Sequence, residues 1–341
     1  MKTKFLIFTD LHVDIMHDTV ARMEIITRAA KEADVDFILH LGDIMYPEQA
    51  YVQQYAPQCM AEREGAWFLC DRDDEKTVIR ELLAETGKKV YGVLGNHDMD
   101  SCDKATACRY WGMPAPYYAF VEGGVRFLVL DANYIRTPEG DVDFYCNNYK
   151  AYKRVQTSYL PPEQLQWLEQ EIMASAEPCV LLSHASLADE ILNINNMQEV
   201  WAILDRVNQD KRRVFLGING HSHIDGLTVR RHIPFLNINS ASNIWIGRQY
   251  ATLRYSKTIM EHYPHLKGCA PYYDPLYTIM TIEDDKIEMT GCKSSFVGKA
   301  PYELGFPESA SYFDPSPCIR ARRIPTAALP EEGKVLDKYF I

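Results

Sequence analysis

Apolar runs of strand length recur along the chain, and each of them ends in polar residues. Six such runs occupy residues 4–12, 36–43, 88–98, 125–133, 178–185 and 212–223. Because these runs are rich in Val, Ile, Leu and Phe and do not alternate, they predict strands that are covered on both faces. Apolar residues at helical spacing lie between several of them, at 19–33, 75–87, 161–176 and 197–209. This order of elements predicts a layered α/β fold.

Three segments depart from that plan. Residues 46–73 and 134–160 are long and rich in aromatic side chains, and residues 293–341 contain prolines without clear periodicity. We therefore predict a catalytic domain over 1–292 with insertions at about 46–73 and 134–160. The extension 293–341 is expected to pack on the core of that domain.

The aromatic insertions and one hairpin complete the predicted plan. Residues 277–291 read as a hairpin around Asp284 and Asp285, which we predict to be the last element of a sheet. The aromatic side chains of the insertions either pack against the fold or stack on a base or headgroup of a ligand. They are Tyr51, Tyr55, Trp67, Phe68, Tyr145, Tyr149 and Tyr152.

Composition narrows the class of protein. The 341 residues are 47% hydrophobic, which suits one large globular domain or two small ones. A formal net charge of −11 argues against a protein that coats nucleic acid, because such binding depends on Lys and Arg. No apolar run reaches the length of a membrane span. The sequence leaves the oligomeric state open.

The cysteines and the N-terminal residues bear on the cellular location. Nine cysteines are scattered without a CxxC pair, which favours reduced thiols and a cytoplasmic protein over a disulfide framework. The apolar stretch FLIF near the start is too short for the core of a signal peptide. A leader that was removed beforehand stays an alternative.

The candidate chemistry lies where the predicted strands end. His221 and His223 flank one serine after the run VFLGIN, and residues two apart in extended backbone point to the same side. Alone, this pair also fits a turn with two solvated histidines. Other strand ends supply Asp10, His12, Asp43, Asn96, His97 and His184. Ligands collect at the carboxyl ends of strands in open α/β sheets, so we expect these side chains to converge. Imidazole with carboxylate suits first-row metal ions.

The ordered motifs resemble those of the calcineurin-like metallophosphoesterase superfamily, most closely its phosphodiesterase-like branch. They are DxH at 10–12, GD at 42–43, GNHD at 95–98, His184, and GHxH at 220–223. The resemblance implies a four-layer α/β/β/α sandwich of two mixed β-sheets, with a dinuclear metal site at the carboxyl ends of the strands.

The resemblance also implies a role for each motif residue. One metal would be held by Asp10, His12, Asp43 and His223, and the other by Asp43, Asn96, His184 and His221, so that Asp43 bridges them. The expected cofactors are two divalent or trivalent ions: Mn, Fe, Zn or a mixed pair. His97 would stabilise the transition state or protonate the leaving oxygen, and we predict that Asp98 assists it.

Two departures from related motifs refine this picture. After Asp43 the chain continues Ile-Met-Tyr-Pro, without the aspartate and arginine that the Ser/Thr protein phosphatase branch has there. Tyr46 completes a GDxxY pattern that resembles the purple acid phosphatases, in which tyrosinate binds ferric iron. Those enzymes have glycine where His12 stands, so we expect His12 to be the ligand and Tyr46 to line the pocket. Asn133 and Asn243 are weaker pocket candidates.

The implied activity is hydrolysis of a phosphate diester or monoester of a small molecule by a hydroxide that bridges the two ions. Two divalent ions, two carboxylates and one hydroxide leave roughly +1 at the site, which attracts phosphate oxygens. One alternative is a purple-acid-phosphatase-like monoesterase. Another is a non-catalytic binding module of the same fold, whose sign would be missing ligands. A nuclease of the superfamily is disfavoured by the acidic balance of the chain.

Overall fold

A computed structural model describes residues 1–60, 72–188, 192–307, 315–330 and 333–334 of the chain. Its first large sheet has six strands. In spatial order they are β18 (Arg322–Pro325), β15 (Lys286–Met289), β14 (Thr278–Glu283), β1 (Lys2–Phe8), β2 (Phe37–His40) and β3 (Lys89–Gly92). The last three are parallel to one another, and the others pair antiparallel.

The second large sheet has seven strands and is also mixed. In spatial order they are β19 (Gly333–Lys334), β10 (Gly226–Arg230), β11 (Ile233–Asn237), β9 (Val214–Asn219), β8 (Cys179–Ser183), β5 (Val125–Val129) and β4 (Tyr118–Glu122). Its four central strands, β11, β9, β8 and β5, are parallel.

Three small antiparallel pairs, seven α-helices and several short 3₁₀ helices complete the described elements. The pairs are β6 (Tyr134–Thr137) with β7 (Gly140–Asp143), β12 (Asn243–Trp245) with β13 (Cys269–Pro271), and β16 (Cys292–Lys293) with β17 (Cys318–Ile319). The helices are α1 (Thr19–Glu32), α2 (Gln49–Tyr55), α3 (Asp73–Ala84), α4 (Lys104–Trp111), α5 (Pro162–Ala174), α6 (Met197–Val207) and α7 (Lys257–His262).

The packing of β1 explains the four layers. Phe5 and Ile7 point into a core between the sheets, where Phe127 of β5 meets them. The intervening side chains Leu6 and Phe8 point the other way, into a second core with α1 and α3. A third core joins the outer face of the second sheet to α5 and α6. The α/β/β/α sandwich of two mixed sheets is thus confirmed, and strands covered on both faces account for the unalternating apolar runs.

The end of the chain differs from the prediction. The hairpin of β14 and β15 turns at Asp284 and Asp285 as expected. It is not the last sheet element, because β18 follows it and pairs with β15, placing Arg322 opposite Met289. Part of the extension 293–341 therefore forms an edge strand of the first sheet.

One cysteine pair also differs from the prediction. Cys59 and Cys146 form a disulfide that joins the insertion 46–73 to the insertion 134–160, so the expectation of nine reduced thiols is wrong for these two. Six further described cysteines are free: Cys102, Cys108, Cys179, Cys269, Cys292 and Cys318. Cys70, Trp67 and Phe68 lie outside the described residues. Among the helices described, none combines the length and apolar character needed to cross a bilayer.

Candidate metal centre

Side chains with metal-binding atoms follow five strands, three from the first sheet and two from the second. They come after β1 (Asp10 and His12), β2 (Asp43), β3 (Asn96 and His97), β8 (His184) and β9 (His221 and His223). Their carboxylate and imidazole atoms form three overlapping groups, each within 4.8 Å: Asp10, His12 and His223; His12, Asp43 and His97; and Asp43, His184 and His221. The carboxyl ends of strands from both sheets therefore meet at one place.

The first group surrounds one carboxylate oxygen of Asp10. His223 Nε2 lies 3.2 Å from Asp10 Oδ1, and His12 Nε2 lies 3.8 Å from the same oxygen. The two Nε2 atoms are 3.1 Å apart. His223 Nδ1 donates a hydrogen bond of 2.6 Å to the backbone carbonyl of Asn243, so in the neutral ring the lone pair sits on Nε2. This is the arrangement that a metal-binding histidine adopts, and it gives Asn243 an orienting contact through its backbone.

The second group surrounds Asp43. His184 Nε2 lies 3.1 Å from Asp43 Oδ2 and 3.0 Å from His221 Nδ1. His184 Nδ1 donates to the carbonyl of Leu41 at 2.7 Å, so its Nε2 also faces the centre of the group. Asp43 belongs to two of the three groups. Asp43 therefore links the group that contains His12 and His97 to the group that contains His184 and His221.

The electrostatics of the cluster follow from burial and close approach. Burial lowers the pKa of His12 and of His221 to about 3. Burial lowers the pKa of His184 as well, but the Asp43 carboxylate outweighs that effect and raises it to about 10. Burial raises the pKa of Asp10, and the opposing attraction of His223 leaves it below its usual range. The cluster thus crowds electron-pair donors into a volume that little water reaches.

Two buried oxygens test whether the residues fit metal ions. Asp10 Oδ1 and Asn96 Oδ1 accept no hydrogen bond among the described residues. A buried acceptor without a partner is costly, and a cation removes that cost. Imidazole and carboxylate donors without thiolate are the set that Mn, Fe and Zn accept. The residues therefore fit the two-ion site.

The ligand loops have an unusual backbone. Asp10, His12, Asp43, His221 and His223 all have φ between 52° and 70°, a region that non-glycine residues seldom occupy. Bonds between the loops hold them there: the Asp10 amide donates to the Gly42 carbonyl at 2.9 Å and the His12 amide to the Asp43 carbonyl at 3.1 Å. Such strain persists only where surrounding structure over-determines it.

Glycine is required where these loops touch. A Cβ on Gly95 would lie 2.2 Å from Asp43 Oδ1, and a Cβ on Gly42 would lie 2.4 Å from the Gly95 amide nitrogen. Gly42 also has φ of +95°. The glycines of the GD and GNHD motifs thus allow the Asp43 and Asn96 loops to approach each other.

The structure places Asp100, not Asp98, against His97. His97 Nδ1 lies 2.6 Å from Asp100 Oδ2. The Asp98 carboxylate, fully buried, instead accepts the amides of Asp43 at 3.1 Å, Ile44 at 3.0 Å and Gly95 at 2.8 Å. Burial and the charge of Asp43 raise the pKa of Asp98 to about 8, against the pull of its amide donors. Asp98, which we predicted to assist His97, therefore binds backbone amides of the loops that carry Asp43 and Gly95. The carboxylate that contacts His97 belongs to Asp100, two residues later.

The predicted pocket residues lie on two sides of the cluster. Tyr46 is buried and lines a small cavity with His12, Asp43 and His97; the ammonium of Lys76 lies 3.8 Å from the centre of its ring. Asn133 lines a larger cleft of about 360 Å³, and its amide donates to the Leu94 carbonyl at 2.9 Å.

The insertion 134–160 contributes side chains that sequence reasoning did not assign to the site. The Tyr149 hydroxyl donates to Asp100 Oδ1 at 2.8 Å and accepts from Asn96 Nδ2 at 3.2 Å. Lys150 Nζ lies 3.3 Å from Asp100 Oδ2. On another side, the Trp245 ring packs edge-on against His12 at 5.8 Å. The aromatic content of the insertion was the sequence feature that could have identified Tyr149. No sequence feature pointed to Lys150 or Trp245.

A two-sheet sandwich with clustered carboxylates and imidazoles at its strand ends defines a class of metal-dependent hydrolase folds. The model of the calcineurin-like phosphoesterase family matches residues 3–225, so the chain belongs to that family. The family resemblance predicted from the motifs is thereby confirmed. Among curated proteins, none matches the chain.

Comparison with solved structures gives one similarity that supports the fold. The chain is similar to a dimetal phosphatase from Danio rerio, with 14% identity, a TM-score of 0.56, and coverage of 86% of this chain and 98% of that one. It is also similar to GAP50, the anchor in the inner membrane complex of Plasmodium (11% identity, TM-score 0.47, coverage 87% and 85%). A third is Yfce, a phosphoesterase from E. coli (14% identity, TM-score 0.34, coverage 84% and 91%). The similarity to the dimetal phosphatase supports the two-sheet fold. The other two TM-scores are too low to support it.

Proposed function

We propose that the protein is a metallophosphoesterase that hydrolyses a phosphate monoester or diester of a small molecule. The family is one of phosphoesterases, which gives the general reaction. The observation that carries the proposal for this chain is the set of three overlapping ligand groups built around Asp10 and Asp43. None of the expected ligand positions is substituted, which favours an enzyme over a binding module of the same fold.

In this proposal, the ligands of the two ions are assigned by their position around the carboxylates of Asp10 and Asp43. One ion would be held by Asp10, His12, Asp43 and His223, and the other by Asp43, Asn96, His184 and His221. When bound, such a pair supplies a hydroxide near neutral pH and neutralises charge on phosphate oxygens. The neutral Asn96 amide fits its role because its oxygen has no hydrogen-bond donor, while Tyr149 fixes the other end of the amide.

His97 is proposed as the acid that delivers a proton to the leaving oxygen. Its Nδ1 is held by the Asp100 carboxylate, which leaves Nε2 as the ring nitrogen available for proton transfer. The His97 backbone amide also donates to Asp43 Oδ1 at 2.7 Å, so the ring sits at a fixed place beside the proposed bridging ligand. Asp100 is a positioning residue in this scheme, because it acts through His97.

The cleft beside the ligands supports a small substrate. It measures about 360 Å³ and is bounded by Asn96, His184 and His221 at one end. Phe144 and Tyr149, which stack at 4.6 Å, form an aromatic wall. Such a volume holds one compact organic phosphate and does not hold a folded protein loop. His12 Nε2 lies beside His223 Nε2 and Asp10 Oδ1, whereas the Tyr46 ring packs against the Lys76 ammonium, which favours His12 over Tyr46 as the ligand.

The test is metal-dependent release of nitrophenol. The protein is stripped with a chelator, reloaded with Mn, Fe or Zn, and assayed on nitrophenyl phosphate and bis-nitrophenyl phosphate. Asp43→Asn and His97→Ala are each expected to lower kcat at least about 100-fold, the usual contribution of a general acid. The matched control is His262→Ala, an exposed histidine in α7 outside the ligand groups, which should retain activity.

Melting temperatures of the stripped variants report folding, and bound metal is counted directly. Full activity in both Asp43→Asn and His97→Ala would refute the proposal. A wild-type protein that binds two ions and releases no nitrophenol from either ester would favour the binding module instead.

A further inference from the structure

The cleft beside the metal ligands carries positive charge in an acidic protein. The chain has 47 Asp and Glu against 36 Lys and Arg, yet among the described residues no Asp or Glu lines this cleft. Lys150 and Arg154 do line it. A second groove of about 290 Å³ adjoins the cleft, shares Arg154 and His221 with it, and is also free of described carboxylates. Within the part of the chain that the structure describes, this surface therefore runs from a proposed metal ligand to an arginine without an acidic side chain lining it.

The basic residues of the insertion 134–160 differ in their partners. Arg136 forms a two-bond ion pair with Asp141, at 2.8 and 2.9 Å, and that contact raises its pKa. Lys150 is held by Asp100. Arg154 is exposed to solvent, lines the cleft, and makes no ion pair or side-chain hydrogen bond among the residues described. Desolvation lowers its pKa, and no described carboxylate opposes that effect. An arginine that lines a cleft without a carboxylate partner is suited to an anion from outside the protein.

The backbone under Arg154 is fixed. Its carbonyl accepts from Asn195 Nδ2 at 2.9 Å and from Thr157 Oγ1 at 3.1 Å. The Asn195 backbone N–H in turn donates to the Ser158 carbonyl at 2.8 Å. Ser158, which lines both cavities, has φ of 64° and is held in that conformation by these contacts. The turn thus presents Arg154 from a defined position, which lowers the entropic cost of binding a ligand there.

We propose that Arg154 and the adjoining groove form an anion subsite that binds a second acidic group of the substrate. The substrate class is a small organic phosphate that carries a carboxylate or a further phosphate at a distance from the ester that is cleaved. The aromatic wall of Phe144 and Tyr149 packs against the connecting part of the molecule. This inference rests on the proposed function, because it takes the scissile phosphate to lie at the metal ligands.

The experiment uses two length-matched series of non-hydrolysable inhibitors on the metal-loaded protein. Alkylphosphonates carry one acidic group, and ω-phosphonocarboxylates of the same chain length carry two. At the chain length that spans the cleft, the phosphonocarboxylate is expected to bind about tenfold more tightly, the increment of a charge-assisted pair at a partly exposed site. Affinity is measured by inhibition of nitrophenyl phosphate hydrolysis and independently by calorimetry.

Variants of one turn provide the matched comparison. Arg154→Gln should reduce the tenfold preference to about one, while Arg154→Lys keeps part of it because the charge remains without the planar fork. Lys153→Gln removes the same charge from the neighbouring residue, which is exposed and lines neither cavity, and should leave the preference intact. A series of alkanediphosphonates tells whether a phosphate or a carboxylate binds more tightly as the second acidic group.

Two results would overturn the subsite: equal affinity for both series at every chain length, or a preference that survives Arg154→Gln. Failure of the proposed function looks different, because the wild-type protein would then release no nitrophenol with any metal. Calorimetry would still measure the preference for the phosphonocarboxylate in that case, so the subsite and the proposed function can be refuted independently.

Discussion

Asp98→Asn tests whether this carboxylate organises the ligand loops. Oδ2 of Asp98 accepts the amides of Asp43 and Gly95, and Oδ1 accepts the amide of Ile44. An asparagine that keeps its oxygen toward Asp43 and Gly95 turns its NH₂ group toward the Ile44 N–H. Above pH 8, where the Asp98 carboxylate is ionised and accepts all three amides, a buried N–H left without an acceptor costs about 1–3 kcal/mol, so we expect the free energy of unfolding to fall by about 2 kcal/mol in that pH range.

The assay is urea unfolding of the metal-free protein together with a metal titration. Because the three amides belong to the loops that carry Asp43 and Asn96, loss of their shared acceptor should weaken metal binding about 10–100-fold, as for other residues that orient ligands. A stability change below about 0.5 kcal/mol with unchanged metal affinity would refute this reasoning. A large fall in kcat with both quantities unchanged would return Asp98 to the direct catalytic role first predicted for it.

Two further changes test neighbouring contacts. Asp100→Asn removes the charge that holds His97 Nδ1, and should lower kcat on nitrophenyl phosphate about 10–100-fold while KM and the metal content stay near wild type; unchanged kcat would contradict the positioning role. His40 is fully buried with no hydrogen bond to either ring nitrogen among the described residues, and burial lowers its pKa from 6.5 to about 3. The unfolded chain thus takes up a proton that the folded protein refuses, so stability should fall by about 1.4 kcal/mol per pH unit as the pH drops below 6.5. His40→Leu should remove this contribution, and equal slopes of urea midpoint against pH in both proteins would contradict it.

The sequence predicted the strands and the clustering of the candidate ligands for one physical reason. Strands covered on both faces need uninterrupted apolar runs, and the first polar residues after such runs emerge together at the carboxyl edge of the sheets. This is why Asp10, Asp43 and His184 were identifiable without any three-dimensional information. The edge strand β18 was missed because it is short, contains Arg322, and gains its stability from pairing with β15.

The error at Asp98 has a local cause. Residues 97–99 form a single turn of 3₁₀ helix, in which side chains three apart lie on the same side. Asp100 therefore reaches the His97 ring, whereas the adjacent Asp98 points into the protein. A 3₁₀ turn that begins at His97, inside the GNHD motif, would have predicted this spacing. The Cys59–Cys146 disulfide carried no such signal, since the two cysteines are 87 residues apart and meet only when both insertions fold.

The left-handed backbone at five ligand positions shows how the fold sets the geometry of the site. A flexible loop could not hold Asp10, His12 and Asp43 at φ near 53°, because each would relax to a negative φ. What prevents relaxation is a ring of bonds between loops: Asp10 Oδ2 accepts the His221 amide at 3.0 Å, Asp43 Oδ1 accepts the His97 amide, and Asp98 ties the Asp43 and Gly95 amides together. Each ligand loop is thus a structural partner of another ligand loop. The carboxylates of Asp10 and Asp43 therefore both offer an oxygen to the metal site and hold a neighbouring loop in position, so substitution at either disturbs more than one ligand.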